Sequence, residues 1–72
     1  MNKLDEAKDV YFKLTNNNPN FAMAYYGLGV IAEKEKNYAD AITQYKQFIA
    51  KTDNESLKKT LQRRIELLKT RI

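Results

Sequence analysis

Apolar residues in the stretch 18–48, NPNFAMAYYGLGVIAEKEKNYADAITQYKQF, recur at spacings of three and four. Tyr25, Leu28, Gly29 and Ala32 fall on one helical face, and Ala41, Tyr45 and Phe48 fall on another. The two segments, Ala22–Lys36 and Tyr38–Ala50, are divided at Asn37. So short a junction forces them to be antiparallel neighbours. Asn37 is placed to cap the second segment, with Asp40 three residues on.

The same periodicity extends both ways. In residues 3–15, Leu4, Ala7, Val10, Tyr11 and Leu14 form one apolar stripe. Asp5 and Glu6 stand early in it, where carboxylates suit the positive end of a helix dipole. Asn16, Asn17 and Asn18 before Pro19 are expected to end that helix, and Asn20 to cap the next. Thr52, Asp53 and Asn54 make a further break. From Glu55 to Ile72 a last stripe runs through Leu57, Leu61, Ile65, Leu68 and Ile72. Leu61, Ile65, Leu68 and Ile72 also fit heptad spacing, though two heptads alone are a weak coiled-coil signal. The fold class read from this pattern is all-α: four helices in antiparallel hairpins.

Gly27 and Gly29 lie inside a helix, where each costs about 1 kcal/mol relative to alanine. At Gly29, beside Leu28, the expectation is a second backbone pressed close, with Ala41 opposite.

The chain resembles itself at an offset of 34 residues. Ala7 pairs with Ala41, Tyr11 with Tyr45, Glu6 with Asp40, Leu4 with Tyr38, Leu14 with Phe48 and Asn20 with Asn54. Paired helices with this period resemble the tetratricopeptide repeat family. Tyr25, Leu28-Gly29 and Ala32 match the first helix of that pattern, Ala41 and Tyr45 the second, and Pro19 its closing proline. The resemblance covers about 50 residues. It implies one domain, 1–72, forming a short α-solenoid: the second helix of a partial repeat (3–15), a full repeat (22–55) and a capping helix (55–72). There are three departures. Asp53 replaces a second proline, Ala32 and Phe48 exchange bulk relative to the pattern, and Gln62-Arg63 stands where leucine-glycine would recur.

The composition narrows the function. The 72 residues include no histidine and no cysteine, so the usual acid–base and thiol chemistry, disulfides and zinc sites are not expected. No glycine-rich phosphate loop follows a strand. The acidic runs at Asp5, Glu6 and Asp9, and at Glu33 and Glu35, read as solvated faces. No enzyme activity and no cofactor are expected. No apolar run is long enough to span a bilayer, and residues 1–10 lack the apolar core of a secretory signal, so the default compartment is the cytoplasm.

The resemblance implies a non-catalytic protein-interaction scaffold binding a protein or peptide. Its groove would be lined by Met23, Tyr26, Val30, Glu33 and Lys34, although Met23 and Val30 could equally pack on a neighbour. The family's lysine, arginine and asparagine carboxylate clamp is not matched, because Met23, Tyr26, Gly27 and Val30 hold those places. Net charge is +4. Residues 1–50 balance at six basic and six acidic, and residues 51–72 hold seven basic against three acidic. Lys58, Lys59, Arg63, Arg64 and Lys69 form a basic patch on the last helix, read as a solvated face or as a contact for an acidic protein or nucleic acid. No aromatic residue interleaves them to stack on bases, which argues against nucleic acid. Finally, one following helix cannot bury all of Leu4, Ala7, Val10, Tyr11 and Leu14. Leu4, Val10, Tyr11 and Leu14 are therefore expected to form a self-association face and the chain a homo-oligomer.

Overall fold

The computed structural model describes residues 3–72. It is all-helical: α1 (Lys3–Asn17), α2 (Ala22–Lys34), α3 (Tyr38–Lys51) and α4 (Glu55–Lys69), with no strand among the described residues. α1 packs on α2, α2 on α3 and α3 on α4. The 34-residue offset recurs in space. Shifted by 34, α1 falls on 37–51, within a residue of α3, and α2 falls on 56–68, within a residue of α4 at each end.

Local chemistry sets the breaks. α1 runs through Asn16 and Asn17, past its expected end, and stops at Asn18, next to Pro19. α2 begins without a side-chain cap. Its N-cap is Phe21, so Asn20 stands one residue too early. The linker is instead tied by the Tyr25 hydroxyl, which donates to the Pro19 carbonyl at 3.0 Å. α2 ends two residues before Lys36, which holds φ 62°. The Asn37 N–H then donates to the Ala32 carbonyl at 2.8 Å and the Lys36 N–H to Glu33 at 2.9 Å. This is the Schellman closure that glycine usually serves. Asn37 caps α3, its Oδ1 accepting from the Asp40 N–H at 3.4 Å. Asn54 caps α4 in the same way, accepting from the Leu57 N–H at 3.0 Å. α4 stops at Lys69, which leaves Ile72 off the stripe and exposed.

The core lies between α2, α3 and α4. Ala32, Ala41, Ile42, Tyr45, Phe48, Leu61, Ile65 and Leu68 form one buried cluster, and Phe48 is its largest fully buried side chain. Burying an aromatic or branched aliphatic side chain of this size is worth about 1.5–3 kcal/mol. α4 packs on α3 and contributes Leu61, Ile65 and Leu68 to the cluster. α1 contributes no buried residue. Its apolar stripe is split: Leu4, Ala7, Tyr11 and Leu14 are half-buried, while Val10 is 55% exposed.

Both helical glycines receive an aromatic ring rather than a small residue. A Cβ at Gly29 would fall against the Tyr45 ring, 2.5 Å from its Cδ1. The expected Ala41 is not among the nearest atoms there. A Cβ at Gly27 would fall 2.5 Å from Cζ of Tyr11. The rings differ in freedom. Tyr45 is buried, whereas Tyr11 lies at the half-open edge of α1 and can swing outward. Gly29→Ala should therefore overpack and cost about 1–3 kcal/mol. Gly27→Ala should come out near neutral, because the helix-propensity gain of about 1 kcal/mol offsets a ring that can move. Urea denaturation of the two variants separates them, and equal midpoints would disprove the difference. Lys36→Gly should stabilise by up to about 1 kcal/mol, since left-handed backbone costs an L-residue about 1–2 kcal/mol and glycine gives back part of that in unfolded-state entropy. A melting temperature unchanged or lowered by that substitution would count against a strained cap.

Candidate functional site

α2 presents two faces. Leu28, Gly29 and Ala32 face the core, and Tyr26, Val30, Glu33 and Lys34 run along the other side. These four line an open cleft of about 340 Å³ between α2 and α4, together with Tyr45, Thr60, Leu61 and Arg64. Its floor is aromatic. Tyr26 meets Phe48 edge-on at 5.4 Å between ring centroids and Tyr45 at 6.1 Å. Met23, expected to share this groove, is 50% exposed and does not line it.

One polar network closes the cleft at the Glu33 end. The Tyr45 hydroxyl donates to Glu33 Oε1 at 2.7 Å. Arg64 grips the same carboxylate with two bonds, Nε to Oε1 at 2.9 Å and Nη2 to Oε2 at 2.6 Å. The paired fork fixes geometry as well as charge. Glu33 is only 16% exposed at its side chain. The Arg64 guanidinium, and less strongly the Tyr45 hydroxyl, hold its carboxyl below the usual range against the opposing effect of burial. Burial, helped by the Glu33 carboxylate, pushes the Tyr45 hydroxyl up. The bond to Glu33 raises Arg64 further, so the pair stays ionised through the neutral range.

Three of the five residues of the basic patch form ion pairs within the molecule, two of them at exposed positions along α4. Arg64 belongs to Glu33, Lys58 pairs with Glu55 at 3.3 Å, and Lys69 pairs with Glu66 at 3.1 Å. Only Lys59 and Arg63 of the five form no ion pair among the described residues. They lie with Gln62 and Glu66 on the outer side of α4. Arg71, beyond the helix, sits 5.6 Å from the Tyr38 ring centroid.

The sequence reading missed Arg64 as a cleft residue. The 34-residue offset carries the signal, because Arg64 lies 34 residues after Val30, at the corresponding position of α4, and both line the cleft. Periodicity places Tyr45 on an apolar face, and its hydroxyl reaching Glu33 depends on the depth of helix packing. Elsewhere, Lys8 on α1 reaches Glu35 at 2.9 Å, and that bond raises its pKa. A second shallow groove lies between α1 and α2, bounded by Leu4, Ala7, Tyr11, Tyr26, Gly27 and Val30 among others. No group of acidic side chains among the described residues is placed to hold a metal ion, and no helix there is long and apolar enough to cross a membrane. Comparison with protein-family models, curated proteins and solved structures finds no match to this chain.

The Glu33 geometry gives a pH dependence. A carboxyl with its folded pKa below an unfolded value of about 4.3 adds stability that is complete above that value. The contribution fades as pH falls through the lowered folded pKa. Parent protein should therefore lose stability on acidification below about pH 4.3 in part through this pair. Glu33→Gln should weaken the fold at pH 7 by about 1 kcal/mol, because the Arg64 side of the pair is half-exposed. It should also flatten the acid limb. Thermal melts from pH 7 to pH 3 test this, and parallel curves for the two proteins would remove Glu33 from the account.

Proposed function

We propose that this chain is a non-catalytic protein-interaction module of tetratricopeptide type, which receives a peptide or protein segment in the cleft between α2 and α4. The observation that carries the reading is the meeting of four of the five expected groove residues, Tyr26, Val30, Glu33 and Lys34, on one open cleft. Its walls suit a peptide. Tyr26, Val30 and Leu61 offer apolar surface, and Lys34 is an exposed cation that forms no ion pair among the described residues. Rigid helices present all of these groups, which limits the ordering cost of binding. The recurrence of the helix pair at 34 residues supports the repeat assignment, and the lack of histidine and cysteine supports a role without catalysis.

Peptides selected from a random displayed library against the parent chain supply the test. Lys34→Glu, at an exposed position of the cleft, and Val30→Asp, at a half-buried one and checked for an unchanged helical spectrum, should each weaken the selected peptides by about tenfold or more, the scale of one well-placed contact. Failure to select any binder, or binders indifferent to both changes, would overturn the cleft as the ligand site.

A second reading is self-association through α1. It is favoured by one observation: α1 is the one helix of the four that buries no residue, and Val10 stands open on it.

A further inference from the structure

The 34-residue offset allows α1 to be compared with α3 position by position within one molecule. Ala41, Tyr45 and Phe48 on α3 are 0%, 2% and 0% exposed, because α2 and α4 cover that helix from two sides. Their counterparts on α1, Ala7, Tyr11 and Leu14, are only half-buried, and α2 alone covers them. α2 takes the side of α1 centred on Tyr11, whose ring lies on Gly27, and at one edge of that contact Lys8 reaches Glu35, so that Ala7 and Leu14 are half-buried and Val10 is open. On a helix of about 3.6 residues per turn, Ala7, Val10 and Leu14 share the adjoining stripe. Glu6 and Lys13, both exposed, run along its flank.

We propose that this stripe pairs with the same stripe of a second copy, α1 against α1 in antiparallel orientation about a two-fold axis near Val10. The proposal rests on the self-association reading and specifies its geometry. Two observations choose the occupant. First, the outward side of α4, which a repeating stack would press on α1, carries Lys59, Gln62, Arg63 and Glu66 beside one exposed apolar residue, Leu67, with Gln62-Arg63 where Leu28-Gly29 stands in α2. Head-to-tail stacking would desolvate those charges, whereas an isologous contact closes on itself. Second, the flanking charges are complementary in only one direction. With Val10 on the axis, residues whose numbers sum to about 20 face each other across an antiparallel pair. Glu6 of each copy then meets Lys13 of the other, twice by symmetry. Glu6 makes no ion pair among the described residues, and the Lys13 pair with Asp9 is 72% and 65% exposed and easily exchanged.

Sedimentation equilibrium from low to high micromolar concentration, with paired charge variants, tests the proposal. The parent should dimerise at high micromolar concentration. Glu6→Lys and Lys13→Glu should each raise the dissociation constant by about three- to tenfold, the scale of two partly exposed ion pairs. The double variant should return to the parent value. Val10→Cys, in a chain without other cysteines, should oxidise to a covalent dimer, and Phe12→Cys, on the opposite side of α1, should not. A parent chain that stays monomeric overturns both self-association and its geometry. A dimeric parent whose double variant is not restored, or whose Val10→Cys does not cross-link, overturns the antiparallel α1 contact alone and leaves self-association through another face.

Discussion

Tyr45 connects every part of this small fold that packs tightly. Its ring lies on Gly29, at the contact of α3 with α2. Its hydroxyl reaches Glu33, which in turn holds Arg64. One side chain thus links the α2–α3 hairpin to α4 through a ring contact and a polar relay. The arrangement also explains why a helix tolerates an interior glycine. The propensity lost at Gly29 is offset by burying an aromatic ring that a Cβ would displace.

The Glu33–Arg64 pair has a second consequence. No backbone segment of α2 lies against α4, so the space between them remains a cleft bridged at one end by side chains. The bridge consumes the cation nearest the cleft floor and leaves Lys34 as the exposed charge. The excess positive charge of residues 51–72 therefore reads differently in three dimensions. Only Arg64 is taken up by an acid from outside that segment, Glu33, because Lys58 and Lys69 pair with Glu55 and Glu66 of the same helix; Lys59 and Arg63 stay exposed without an ion pair among the described residues. The two ends of the fold also differ. α4 closes one end with charged residues on its outer side, and α1 leaves half-buried apolar residues on the other.

Helix number, helix order and the Asn37 cap were legible in the sequence, because they rest on local rules. Asn37 and Asn54 each cap a helix through a bond to a residue three positions on, a contact fixed by backbone geometry alone. The local rules erred by a residue or two where signals were shared out: Asn16 and Asn17 stayed helical, Asn20 was displaced by Phe21, and the second helix stopped at Lys34, with a left-handed Lys36 before Asn37. Four of the five groove positions could be placed because periodicity assigns a face, whereas Met23, near the start of α2, shares the helix but not the cleft.

The sequence by itself determined that the chain is helical, that its helix pair recurs after 34 residues, and which stripe of each helix is apolar. Spacing along a helix is enough to decide those points. Only the tertiary structure decided that Tyr45 and Tyr11, rather than small residues, cover the two glycines, and that Arg64 is spent on Glu33. Both depend on how deeply and at what angle two helices meet, which pits ring volume against side-chain reach. Residues 31 positions apart, such as Glu33 and Arg64, carry no local rule that could fix that distance.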